Sequence, residues 1–173
     1  MTAGTLTLER FNGREVFPIT KAELLVLAGH DGEPTRLNFE IATGPCQEHT
    51  TPDEPFQKPE AEVYVPVPHF DPDLLVGTKH LVPVGDVDGD WHGRICYFEH
   101  EPIDENEVEI LGRDGPRFHV RWAGLTQDVN FYDGSKPKTR VLVDAVFTCE
   151  ALTKETSPKK TSPKKKKKKK KKA

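Results

Sequence analysis

Alternation with a period of two constrains this chain more than any other feature of its sequence. In Arg36-Leu-Asn-Phe-Glu-Ile41, the apolar Leu37, Phe39 and Ile41 fall on one side and Arg36, Asn38 and Glu40 on the other. Arg117–Trp122 repeats the pattern with Phe118, Val120 and Trp122, and Val141, Val143, Ala145, Phe147 and Cys149 share a face near the end. Successive side chains point to opposite faces only in an extended backbone, so such segments read as half-buried strands. Shorter segments of the same kind are Thr5–Glu9, Glu23–Leu27, Glu62–Val67, Ile95–Glu99, Val108–Leu111 and Val129–Tyr132. Between them lie Asn12-Gly13, Asp31-Gly32, Asp88-Gly89, Asp114-Gly115 and Asp133-Gly134. Asx-Gly pairs supply the positive φ that tight hairpins need. No dozen residues keep a helical stripe. The expected fold is all-β: an antiparallel β-sandwich, or alternatively a partly open barrel.

Two stretches echo each other. Leu24–Ala42 and Val108–Ala123 both read as a strand, an Asp-Gly turn and an Arg-led strand. Duplication of a half-domain would produce this, and so would two unrelated hairpins under the same turn chemistry. Residues 43–60 are rich in proline and long for a loop inside a compact domain, which makes them a candidate recognition surface for a protein partner. Pro66 and Pro68 follow, and proline, lacking an N–H, places that strand at a sheet edge.

Charge divides the chain in two. Residues 154–173 hold 12 of the 25 Lys and Arg and one of the 28 Asp and Glu, which leaves 13 cations and 27 acids for residues 1–153. The body thus carries about −14 and the tail about +11, an asymmetry that points to a polyanionic partner for the tail. A block of like charge cannot bury apolar surface, so an acidic globular domain (1–153) followed by a disordered tail (154–173) is expected. The tail lysines Lys159, Lys160, Lys164, Lys165, Lys166, Lys167, Lys168, Lys169, Lys170, Lys171 and Lys172 are the candidate contacts to a polyanion, most simply nucleic acid. They would act on phosphates as point charges without reading bases. The repeated Ser-Pro-Lys-Lys unit (157–160 and 162–165) resembles the tails of linker histones, and that resemblance implies contact with the minor groove of A/T-rich DNA. Ser157 and Ser162, each before a proline, are candidate phosphorylation sites; each phosphate would remove about two charges from the tail's excess.

Within the body, Asp86-Val-Asp-Gly-Asp-Trp-His-Gly-Arg-Ile-Cys-Tyr-Phe-Glu99 is the best local motif. Asp86, Asp88 and Asp90, with Glu99, are candidate ligands for a calcium ion, which takes six to eight oxygens. The stretch resembles an EF-hand loop, but Trp91-His92 interrupts the spacing and no flanking helices are expected. What remains is a choice between an Asp-rich calcium loop and a solvated acidic turn. Cys46 and His49 have half the spacing of a zinc site, and His69, Asp71 and Asp73, with His80 or His92, are a second candidate set for zinc. The three cysteines are too few and too scattered for a disulfide framework, so buried reduced thiols are expected. Nucleophile-elbow, zinc-protease and phosphate-loop motifs are missing. An enzyme built on His69, His92 and Asp90 is the weaker alternative to a non-enzymatic interaction module. With neither a signal-like N-terminus nor a long apolar run, a cytoplasmic protein without a membrane span is expected.

Overall fold

The computed structural model describes residues 2–82, 86–87 and 90–155, with Asp86, Val87, Asp90, Lys154 and Glu155 described as backbone only. Asp88 and the tail lysines Lys159–Lys172 lie outside the described residues. The chain forms β1 (Gly4–Arg10), β2 (Gly13–Leu27), β3 (Thr35–Thr43), β4 (Glu48–His49), β5 (Glu60–Val67), β6 (Lys79–Val82) and β7 (Asp86–Val87). It continues with β8 (Asp90–Trp91), β9 (Gly93–Cys96), β10 (His100–Pro102), β11 (Asp104–Asp114), β12 (Arg117–Thr126), β13 (Thr139–Cys149) and α1 (Glu150–Glu155).

The fold is all-β, as expected. It is built as one open antiparallel sheet in the order β10-β9-β5-β3-β2-β1-β13-β12-β11-β6, with β7 and β8 forming a separate small hairpin. The sheet turns its corner on β2. Residues 13–19 of that strand pair with β1, and Glu15 and Val16 also pair with β4; residues 22–27 pair with β3 and touch the end of β13. A register shift between Ile19 and Lys21 separates the two halves, and a bulge of this kind bends a strand. It also resets the phase of burial: Glu15, Phe17 and Ile19 point inward before it, Ala22 and Leu24 after it.

The sheet closes over a single core. Leu37 and Phe39 of β3, Phe118, Val120 and Trp122 of β12, and Val141, Val143 and Phe147 of β13 are all buried, as their alternation predicts. Phe39 and Phe147 meet edge to face with centroids 5.3 Å apart. Near the two ends of the strand order β9 comes close to β11, since a Cβ at Gly93 would lie 2.8 Å from Asn106 Nδ2. Ile103 N–H extends the β10–β9 ladder by donating to the Gly93 carbonyl (2.8 Å). Asn106 is itself buried, donating to the Ile103 carbonyl (2.5 Å) and accepting from Trp122 Nε1 (2.8 Å).

Local expectations fare unevenly. The Asp31-Gly32 turn carries positive φ at both residues (53° and 91°), as a type I′ turn requires. Val129–Tyr132 is a turn instead of a strand, because Asp128 accepts from the Asn130 backbone N–H (3.2 Å) and its carbonyl accepts from Phe131 N–H (2.9 Å). Asn38, expected outward, is 2% exposed and donates to Glu40 (2.6 Å). Pro66 sits where β5 has run past the end of β9 and pairs only with β3, so the strand is interior at Glu60–Val63 and an edge beyond. The echoing stretches form the β2–β3 and β11–β12 hairpins.

Candidate functional site

The long proline-rich loop is a wall of a cavity. Its strand β4 pairs with the start of β2, Glu15 opposite His49, and straps the loop across the β1–β2 hairpin tip. The fit is close: Gly13 has φ +149°, and a Cβ there would lie 2.7 Å from Thr51 N. Arg14 N–H donates to Thr50 Oγ1 (2.9 Å), and Thr50 N–H returns a bond to the Arg14 carbonyl (2.8 Å). Residues Thr51–Phe56, the hairpin tip, Tyr97-Phe98 and Asn130-Phe131 then enclose about 390 Å³, within the range of small-ligand pockets.

The floor of this cavity is a buried ion cluster. Arg10, at the end of β1, grips Asp128 with two parallel bonds (Nε 3.0 Å, Nη2 2.8 Å) and reaches Glu15 with Nη1 (2.8 Å). Their side chains are 3% (Arg10), 0% (Asp128) and 1% (Glu15) exposed. Thr139 Oγ1 also donates to Asp128 (3.0 Å), and the Tyr97 hydroxyl to Glu15 Oε2 (3.0 Å). Asn130, with its amide oxygen turned toward Arg10 (3.1 Å), completes the guanidinium's shell. Burial alone would lower the Arg10 pKa, but the bonds to Asp128 and Glu15 outweigh it and hold the guanidinium above its ordinary value. Burial, then the charge of Glu15, drives the Tyr97 hydroxyl far above its usual range, so it stays a proton donor. The cluster therefore holds one positive against two negative charges.

Aromatic rings form the rim. Phe56 (76% exposed) meets Phe98 edge to face at 5.3 Å, and Phe98 meets Tyr97 at 5.1 Å. On the opposite side Phe11 and Phe131 pair at 5.5 Å, and the Lys136 ammonium sits 5.3 Å from the centroid of each. Asn12 Oδ1, at the cavity wall, is buried without a hydrogen-bond partner. Sequence reasoning found the loop but missed the cluster beneath it. The available signal was a carboxylate, Glu15, at an inward position of an apolar strand.

A wider groove of about 680 Å³ crosses the outer face of β3 and β5, lined by Arg36, Tyr64, Trp91, His92 and Arg94 among others. Its arginines are engaged, Arg36 with Glu33 (3.1 Å) and Arg94 with Glu62 (2.5 Å).

Of the four expected calcium ligands, only Glu99 has a described side chain. Glu99 is exposed in the β9–β10 turn, where its backbone N–H donates to the Tyr132 hydroxyl (3.3 Å). Asp86 and Asp90 pair as backbone in the β7–β8 hairpin, and their side chains lie outside the description. Cys46 directs its thiol at the Val16 and Glu48 carbonyls (3.4 and 3.2 Å), while His49 Nδ1 faces the Thr51 carbonyl (3.2 Å). Asp71 caps the Asp73 and Leu74 N–H groups, Asp73 pairs with Arg113, and His80 bonds Thr78 (2.8 Å). No group of three His, Cys, Asp or Glu in the described residues is arranged to hold a metal ion. No described helix is long and apolar enough to cross a membrane. No known protein family, curated protein or solved structure matches this chain.

Proposed function

We propose that this chain is a non-enzymatic interaction module: residues 1–153 bind a partner at the loop-lined cavity, and the lysine tail holds the protein to a polyanion, most simply nucleic acid. The observation that carries this reading is the pairing of the body's cations. Arg10, Arg14, Lys21, Arg36, Lys79, Arg94, Arg113, Arg117, Arg121, Lys138 and Arg140 each lie against a carboxylate. Lys136 is taken up by two rings. A body with all its cations but Lys58 engaged in this way, and with carboxylates in excess, repels phosphate, so attraction to a polyanion falls to the lysines beyond Lys154.

The body also competes for that tail. Glu23, Glu40 and Glu62 stand directly opposite one another on β2, β3 and β5, and β13 delivers the chain into α1 beside Glu23. Glu23 is paired with Lys21 (2.8 Å) and Glu62 with Arg94 (2.5 Å), which leaves Glu40 as the acid of the row without an ion pair; burial first, then the charge of Glu62, raises its pKa. This row adjoins the end of β13, from which α1 departs.

The test is duplex-DNA affinity against salt for the full chain, residues 1–153 and the tail peptide. If six to ten lysines engage phosphates, affinity falls roughly 10³- to 10⁵-fold between 50 and 200 mM salt. The tail peptide should bind more tightly than the full chain. Strong binding by residues 1–153, or none by the full chain at low salt, would refute the reading.

A further inference from the structure

The cavity under the proline-rich loop has a chemistry that selects its ligand. Its walls carry the rings of Phe56, Tyr97, Phe98 and Phe131, and aromatic rings attract cations. Arg10 and Glu15 reach its floor, with Asp128 behind them, and Asp53 and Glu54 add two exposed carboxylates to its lining. An anion would meet carboxylates, and a neutral apolar group would leave them without a counter-charge. A cation bearing N–H groups answers both the rings and the carboxylates. Phe131 already displays the contact, since with Phe11 it holds the Lys136 ammonium just outside the cavity. Arg10 does not oppose a second cation, because Asp128 and Glu15 neutralise it at 2.8 Å.

We infer that this cavity is a binding site for a primary alkylammonium group, held between the Phe56, Phe98 and Phe131 rings with its N–H donors directed at Asp53 and Glu54. The inference rests on the reading of the body as a partner-binding module and names the chemistry that its partner presents. It does not depend on the tail.

The test is a titration of the full chain with n-butylammonium chloride and, separately, with 1-butanol, followed by NMR amide shifts of Asn12, Thr51, Phe98 and Asn130. Butylammonium should move these signals and bind roughly two- to fivefold more tightly than the alcohol, the size of one exposed cation–π contact. Phe56→Ala should weaken binding of both probes. Asp53→Asn combined with Glu54→Gln should weaken the ammonium alone; these three side chains are exposed, so the variants keep the fold. N-acetyl-lysine methylamide separates two sources of the group: tighter binding than butylammonium assigns it to a lysine side chain, equal or weaker binding to a free amine. Equal affinity for butylammonium and butanol, shifts confined to residues outside the cavity, or no effect of the variants would overturn the proposal. DNA binding at low salt is read separately, so loss of the ammonium site and loss of the tail's function are distinguishable.

Discussion

Replacing Arg10 with methionine should be among the most damaging single changes in the body. Methionine matches the aliphatic stem of arginine but removes the charge that serves both Asp128 and Glu15. Removing one partner of a buried ion pair commonly costs about 3–5 kcal/mol, because the remaining charge has no water to turn to. Here two carboxylates are orphaned, but Thr139 and the Asn130 N–H still donate to Asp128, and Tyr97 to Glu15. Those donors place the expected loss near the lower end, about 3 kcal/mol at pH 7. For a body of this size that corresponds to a fall in Tm of about 6–12 °C. The sign of the pH dependence follows from the same geometry. Without the guanidinium, the folded-state pKa of the carboxylates rises above the unfolded value. Their protonated forms then favour folding, and stability is lost as pH rises through the folded pKa. The Arg10→Met defect should therefore shrink between pH 7 and pH 4.5. The triple variant Arg10→Met, Glu15→Gln, Asp128→Asn should recover part of the loss, since neutral amides do not require a countercharge. Urea unfolding monitored by circular dichroism at both pH values measures this. A defect under about 1 kcal/mol at pH 7, or one that grows on acidification, would refute the account of the cluster as a charge-balanced unit.

The remaining expectations concern other parts of the body. Asn106→Ala leaves the buried Trp122 Nε1–H without an acceptor and should cost about 1–3 kcal/mol in urea unfolding. Gly124→Ala should also destabilise, because its Cβ would lie 2.4 Å from Ile103 Cγ2 and 2.8 Å from Asn106 Oδ1; an unchanged Tm would show that the β11–β12 contact yields easily. Glu40→Gln relieves like charges directly opposite on two neighbouring strands and should raise stability by about 0.2–1 kcal/mol at pH 7, with the gain shrinking in acid as Glu40 protonates. Burial lowers the His80 pKa, so protonation favours the unfolded chain; stability from this group is full above about pH 6.5 and falls as pH drops below it. His80→Gln should flatten that part of the stability profile.

The parts of the fold legible in the sequence are those where one strand keeps one phase against one core. β12 and β13 alternate without interruption because no bulge enters their shared ladder, so Phe118 through Trp122 and Val141 through Cys149 announce their buried face. β2 was legible only over residues 23–27. Its bulge near Thr20 moves the inward set from odd to even positions, and Pro18 lies at the junction, so the fifteen residues do not read as one strand. Glu15 obscures the first half further, since a carboxylate at an inward position looks like a break in the alternation. Its meaning appears only with Arg10 and Asp128 in view, and Asp128 lies 118 residues from Arg10 along the chain. Local spacing cannot reveal a triad assembled across that distance. The proline-rich loop was legible as a surface because its length and composition are local properties; the ion cluster and rings that give the surface its chemistry are not.

The same distinction governs how the charge should be understood. A net charge counted along the sequence assigns the body about −14, as if 13 cations and 27 acids were mixed freely. In the folded body most of the cations are committed to particular carboxylates, and strand register sets Glu23, Glu40 and Glu62 side by side, with Lys21 on Glu23 and Arg94 on Glu62, so that Glu40 is the acid of the row without an ion pair. The local field beside α1 is therefore set by that register more than by the total. The loop cavity has a different field, set by a cluster whose one guanidinium is already outnumbered. On the proposed reading, the two surfaces have separate origins, one competing for the tail lysines and the other selecting an ammonium. The Glu40→Gln and Asp53→Asn/Glu54→Gln variants should accordingly act independently: the first on the DNA affinity of the full chain, the second on ammonium binding. Either variant moving both readouts would show that one diffuse field, and not two sites, governs the body.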